Sequence, residues 1–196
     1  MKEKWTPLII LLLLLCAGTL ALTGCVPLFA GGAATGAVVT NDRRTTGTVI
    51  EDQSIESKAN DFIEADGALA EKAHINVTSY NQMVLLTGEV PNDELRKRAV
   101  EYVSRIAKVR HVHDEMTIGA PTPTANRAND ALLTTKVKGK LVSIKNISAL
   151  DVKVVTEAGV VYLMGLVDKA TGDAIAEAIA TVGGISKVVK LFEDHG

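Results

Sequence analysis

The apolar and polar residues of the chain follow one pattern twice. In the first copy, apolar positions alternate with polar ones over 73–79 and 82–89, which predicts two strands joined by a short hairpin turn. A helical spacing of apolar residues precedes them at 53–65 and follows them at 92–107, and a last strand is predicted at 109–118. The first copy therefore has the predicted element order αββαβ.

The second copy lies 77 residues further along the chain, where Val84, Leu86 and Gly88 coincide with Val161, Leu163 and Gly165. Its predicted elements are a helix at 130–144, strands at 151–157 and 159–167, a helix at 169–182 and a strand at 185–193. Two such units predict an α+β protein, in which each unit has a three-stranded sheet with two helices packed on one face. Units of this size bury a limited core, so we expect them to support each other.

The N-terminus has the pattern of a secretory signal peptide. Two lysines precede an apolar run over 8–22, which is shorter than the ~20 apolar residues that a membrane-spanning helix needs. The run ends in Leu-Thr-Gly-Cys at 22–25, which resembles a lipobox, the site where a cysteine receives a lipid. We therefore predict a lipoprotein signal peptide at 1–24 and lipidation of Cys25, which holds the mature chain to a membrane facing the periplasm.

Segments without the apolar spacing of a hydrophobic core lie between the signal peptide and the first repeat, and between the two repeats. Residues 25–50 are rich in glycine, threonine and small residues, which predicts a flexible tether. The proline- and threonine-rich start of 120–128 predicts a short, stiff linker. The two predicted domains are therefore 51–119 and 129–196.

Composition excludes several functions. Removal of the signal peptide reduces the 21 basic and 23 acidic residues of the chain to 19 and 22, a formal charge of −3. That balance does not favour nucleic acid as a partner. The two cysteines are Cys16, which the signal peptide carries away, and Cys25, so no thiol remains for a disulfide, a redox site or a thiolate–metal site.

No residue spacing indicates catalysis. His111 and His113 alternate on a predicted strand beside Asp114, but no third and fourth metal ligand follows at a suitable spacing. Gly88 ends a strand without a phosphate-loop pattern, and His74 is interpreted as structural. We therefore predict no enzymatic activity, no cofactor and no metal site.

The leading helices of the two copies differ in charge. Residues 51–66 carry six acids against one lysine, a net charge of −5. Residues 131–150 carry four lysines and no acid, a net charge of +4. An anionic lipid surface repels the first helix and attracts the second, since each lysine near such a surface contributes about 1 kcal/mol.

A helical wheel of the second leading helix places the candidate site. The predicted core stripe consists of Leu133, Val137, Leu141 and Ile144. Lysines flank this stripe on both sides, at 136 and 140 and at 138 and 145. Leu132 lies off the core face, where an apolar side chain among lysines suits an interfacial wedge. The predicted lipid-binding residues are Leu132, Leu133, Lys136, Val137, Lys138 and Lys140. A solvated helix with one exposed leucine is the alternative.

Several stretches resemble BON domains, a bacterial module named for osmotically induced and nodulation proteins. The resemblance is carried by the strand motifs 84–90 and 161–167 and by the segments 109–112 and 184–188. With two copies and a lipobox, the chain resembles the division- and outer-membrane-stress-associated lipoproteins. It departs from them at Leu132, where a tryptophan is expected, and so lacks the ring that prefers a membrane interface.

The resemblance implies an outer-membrane lipoprotein, facing the periplasm, that binds anionic phospholipid such as phosphatidylglycerol or cardiolipin through its second BON domain. It also implies enrichment at the division site and a role in envelope integrity. Val26, rather than aspartate, follows the lipidated cysteine, which favours sorting to the outer membrane. The alternative is a periplasmic adaptor that binds outer-membrane assembly or peptidoglycan-remodelling proteins, a role that the acidic first helix would suit.

Overall fold

The computed structural model describes residues 42–121, 124–144 and 147–194. The predicted signal peptide 1–24, the lipidation site Cys25 and Lys145 lie outside these ranges. Among the described helices, none has the length and apolar character that crossing a bilayer requires.

The first repeat consists of α1 (Thr46–Ala65), α2 (Gly67–Lys72), β1 (His74–Tyr80), β2 (Met83–Val90), α3 (Asp93–Ser104), β3 (His111–Asp114) and β4 (Thr117–Ile118). The second consists of α4 (Thr124–Val142), a 3-10 turn (Ala149–Asp151), β5 (Val152–Glu157), β6 (Val160–Leu166), α5 (Lys169–Ala180) and β7 (Lys187–Glu193). The prediction of an α+β chain with two tandem αββαβ units is confirmed.

Each sheet is built around its second strand. β2 pairs antiparallel with β1 and parallel with β3 and β4, and β6 pairs antiparallel with β5 and parallel with β7. The parallel pairs arise because α3 and α5 carry the chain back along the sheet before the last strand begins.

A buried aspartate holds the first hairpin. The turn residues Asn81 and Gln82 have φ angles of 52° and 64°, in the left-handed region that two-residue hairpin turns need. Asp52 of α1 accepts hydrogen bonds from their backbone N–H groups at 2.8 and 2.7 Å, and from Ser79 Oγ at 2.6 Å. The leading helix is thereby fixed to the end of the sheet.

The second repeat has the same arrangement. Ala158 and Gly159 form the turn, with φ angles of 49° and 76°. Asp130 of α4 accepts hydrogen bonds from both of their N–H groups at 2.9 Å. The two aspartates therefore have equivalent structural roles, although sequence analysis counted Asp52 only as helix charge.

One face of each sheet packs against helices. The first core is formed by Ile55, Ala59, Ile63, Leu69, Val84, Leu86, Val90, Leu95, Ala99, Val103, Ile106 and Met116. The second is formed by Leu133, Val137, Leu141, Val152, Val154, Val161, Leu163, Ile175 and Ile179. Of the predicted core stripe of α4, Leu133, Val137 and Leu141 lie in the second core and Ile144 packs against it, partly buried.

Several element boundaries differ from the prediction. α1 begins at Thr46, with Thr45 Oγ1 accepting a hydrogen bond from the N–H of Thr48 at 3.1 Å, so the end of the predicted tether 25–50 is helical. α4 begins at Thr124, inside the predicted linker 120–128. The last strand of the first repeat is interrupted where Met116 turns into the core, 2% exposed.

The faces of the two sheets that carry no helices pack against each other. A third core joins them, formed by Tyr80 and Leu85 of the first repeat and Tyr162 and Met164 of the second. Polar contacts surround it: Tyr80 Oη donates to the carbonyl of Asp151 at 3.3 Å. The repeats thus support each other through face-to-face sheet packing.

Candidate functional site

The inner face of α4 belongs to the second core. Leu133 is 2% exposed, and Val137 and Leu141 are fully buried against Ile175 and Ile179 of α5. The prediction that Leu133 and Val137 contact lipid is therefore wrong, because side chains enclosed in the core do not reach a membrane surface while the domain is folded. Their apolar character serves folding.

The outer face of α4 carries an uncharged ridge. Leu132 is 64% exposed, as its position on the wheel predicts, and Val142 at the end of the helix is 73% exposed. At about 100° per residue, Thr135 and Gly139 lie between them on the same side of the helix. Sequence analysis missed Val142, because an isolated valine beyond the lysines gives no pattern of its own.

The lysines of α4 border this ridge. Lys136 and Lys138 are exposed on opposite margins, and Lys140 is half-buried. Elsewhere the helices pair bases with acids one turn away, as in Lys97–Asp93, Arg105–Glu101 and Lys169–Asp173. Within the described ranges, no carboxylate pairs with the three α4 lysines. Their charge is therefore available to an external anion.

The acidic charge of α1 is partly internal. Asp52 is 3% exposed, and Arg44 Nη1 lies 2.7 Å from its Oδ2. At the far end of the helix, the Arg98 guanidinium beside Asp66 lowers the pKa of that carboxyl. The net charge of −5 therefore overstates the acidic surface that a partner would meet. The exposed acids include Asp61 and Glu64, which follow the polar side of the helix.

The rings of the two β3 histidines pack against each other, and the carboxylate of the neighbouring Asp114 has a different partner. The rings of His111 and His113 lie edge to face, with centroids 4.6 Å apart. Burial, and next the charge of His111, lower the pKa of His113. Asp114 faces the other way, where its Oδ2 accepts a hydrogen bond from Arg96 Nε at 2.8 Å.

A second group of potential ligands lies between the repeats. His74, Glu89 and Glu157 bring one ligand atom each to within 4.8 Å of one another. Sequence analysis treated His74 as structural and missed the group, because its members are far apart in the chain and come from different repeats. No local spacing signal could have indicated it.

Comparison with known proteins identifies the repeated unit. The BON domain matches residues 51–120 and 129–193. The outer membrane lipoprotein DolP of Haemophilus influenzae is 37% identical over 182 residues, which cover 93% of this chain and 94% of that protein. A 21 kDa hemolysin of Actinobacillus pleuropneumoniae is 33% identical over 151 residues, covering 77% of this chain and 78% of the relative.

Proposed function

Because this chain belongs to the BON-domain family and contains two copies of the domain, we propose that it is an outer-membrane lipoprotein that docks on anionic phospholipid through α4. The observation that carries the proposal is the outer face of that helix. It presents exposed Leu132 and Val142 between lysines that no acid neutralises within the described part of the chain. The similarity to a DolP lipoprotein supports the outer-membrane placement.

The arrangement suits a helix lying in the membrane interface. Such helices bury an apolar edge at the headgroup boundary while basic side chains at the margins reach anionic headgroups. The lysines at positions 136, 138 and 140 contribute at most about 3 kcal/mol before salt screening. Full burial of one leucine side chain contributes roughly 1.5–3 kcal/mol. Both terms are therefore needed for useful affinity.

The lipid on Cys25 completes the proposal. An acyl anchor keeps the second BON domain near the bilayer, so that a weak surface contact is made at high effective concentration. A protein held in this way would respond to the local content of phosphatidylglycerol or cardiolipin. We therefore also propose that it gathers where anionic lipid is enriched, including the division site, and supports envelope integrity.

Vesicle co-sedimentation of the unlipidated mature chain tests the lipid contact. We expect it to pellet with vesicles containing phosphatidylglycerol or cardiolipin, to stay in solution with phosphatidylcholine alone, and to be released by high salt. Equal binding to both kinds of vesicle, or no binding to either, would contradict the proposal.

A protein-binding adaptor is the second candidate function, and α1 favours it. Phe62 is 47% exposed on that helix beside the exposed acids Asp61 and Glu64, and Ile50 near the start of the helix is 61% exposed. Photo-crosslinking from position 62 in intact cells would identify such a partner. A specific crosslinked envelope protein, together with failure of the vesicle experiment, would favour the adaptor over the lipid-binding module.

A further inference from the structure

His74 and Glu89 are held together by the register of the first sheet. They are direct partners across β1 and β2, so their side chains lie on the same face of the sheet. His74 Nδ1 is 3.3 Å from Glu89 Oε2. Gly88 permits this close pairing: it has a φ angle of 107°, and a Cβ there would lie 2.0 Å from the carbonyl oxygen of His74.

The third group comes from the second repeat. Glu157 ends β5, and the packing of the two sheets brings it to the pair. Asn76 Nδ2 donates a hydrogen bond to Glu157 Oε2 at 2.6 Å, and Thr87 Oγ1 donates to the same atom at 3.4 Å. Such bonds from the surrounding shell orient a carboxylate ligand.

The two carboxylates of this group are withdrawn from solvent, and the group adjoins a cavity. Glu89 is 5% exposed and Glu157 is 7% exposed, so both carboxylates are withdrawn from solvent. A cavity of about 250 Å³ adjoins Glu157 and is also lined by Arg127 and Asp130. An imidazole and two carboxylates within reach of one another, beside space that can hold water, form a ligand set for a metal ion.

We propose that His74, Glu89 and Glu157 bind a divalent cation of the zinc class at the junction of the two BON domains. One imidazole and two carboxylates suit such a cation, which binds nitrogen and oxygen at about 2.0–2.2 Å. Tetrahedral ligands at that distance are about 3.4 Å apart, which the His74–Glu89 pair already matches. The ligand atom of Glu157 lies within 4.8 Å of the other two, so its side chain would rotate towards the ion, and a water in the cavity would be the fourth ligand.

A cation bound at this site would hold the two domains together. Two of its ligands belong to the first domain and one to the second, so a bound cation joins the domains in one orientation. The cation also contributes to stability only while the domains are packed together, because the ligand set is incomplete in either domain alone.

Titration of the chelator-treated mature chain with zinc chloride tests the site. We expect one zinc ion per chain, a raised Tm in its presence, and an affinity at least about 10-fold weaker in His74→Ala and in Glu157→Gln. The His111→Ala/His113→Ala double variant is the matched control, since it removes two histidines outside the site and should keep the wild-type affinity.

Two further measurements separate loss of the metal ligands from loss of the fold. Circular dichroism of the metal-free variants establishes that they fold, and Glu89→Gln should lose the visible absorption bands that cobalt(II) acquires on binding to the wild type. The proposal is overturned if the wild type shows no saturable zinc binding, if His74→Ala binds as tightly as the wild type, or if the double variant is the one that loses affinity.

Discussion

Asp52 and Asp130 show how a residue's role depends on contacts that its neighbours in sequence do not reveal. Both lie on leading helices, and both accept backbone hydrogen bonds from the tip of a hairpin. From the local sequence alone, a carboxylate on a helix is interpreted as a surface charge. Its burial becomes visible only when the sheet is folded against the helix.

We expect Asp130→Ala to lower the free energy of unfolding by about 2–3 kcal/mol, because two N–H groups lose a charged acceptor. Urea denaturation followed by circular dichroism measures the change. Asp61→Ala removes an exposed acid from the other leading helix and should change stability by less than about 0.5 kcal/mol. Equal effects of the two substitutions would refute the structural role of Asp130.

Asp173 allows a test of surface electrostatics. Lys169, and next Lys190, lower its pKa to about 2 from the ordinary 3.8. Because the folded pKa lies below the unfolded one, the associated stabilisation is present above pH 3.8 and is lost as the pH falls towards 2. An NMR titration should find this midpoint near pH 2, and Lys169→Ala should raise it. An unchanged midpoint in that variant would contradict the assignment.

At the scale of elements, periodicity predicted both αββαβ units and the face of α4 that enters the second core. The starts of α1 and α4 were missed, because they are rich in threonine, glycine and asparagine and carry no helical spacing of apolar residues. For the candidate site, the wheel placed Leu132 outside the core, and the structure leaves it exposed beside the lysines. The wheel also assigned Leu133 and Val137 to the core stripe, and their burial agrees with that assignment and not with their inclusion among the lipid-contacting residues.

Leu132→Glu should abolish binding to anionic vesicles without unfolding the protein, because the side chain is exposed and its replacement carries a charge that the lipid repels. Co-sedimentation and thermal melts measure both effects. Ile118→Glu is the control, as Ile118 is 55% exposed on the first repeat and should tolerate the change without loss of binding. Leu132→Trp should strengthen binding by adding an interfacial ring.

Leu133→Glu should behave in the opposite way. Its side chain is 2% exposed, so a buried carboxylate replaces core packing and should destabilise the second domain by at least about 3 kcal/mol. Urea denaturation measures this loss. A variant that melts like the wild type would show that α4 is oriented differently from the structure described above.

At the scale of the whole molecule, the shared third core determines how the domains respond to alkali. Burial raises the pKa of Tyr80 and of Tyr162 to about 12. Both residues lie between the sheets, where two ionised phenols would be withdrawn from solvent. The contact between the domains is therefore sensitive to the ionisation of side chains that neither domain exposes.

Since the folded pKa values exceed the ordinary 10.0, the stabilisation is complete below pH 10 and is lost as the pH rises towards 12. We expect ultraviolet titration of the tyrosines to show ionisation of Tyr80 and Tyr162 together with loss of the folded signal. Ionisation of both residues near pH 10 in a fully folded protein would disagree with their burial.

The packing of the two sheets within one chain affects how far the sequences of the two repeats can differ. Both domains use the same face of the same fold, which is the relation found in a two-fold symmetric dimer. In a true dimer of identical subunits, each substitution appears twice. Covalent fusion removes that constraint, so that α1 could keep its acids while α4 gained lysines. The molecule is in this sense a pseudo-dimer of like domains whose leading helices differ in charge.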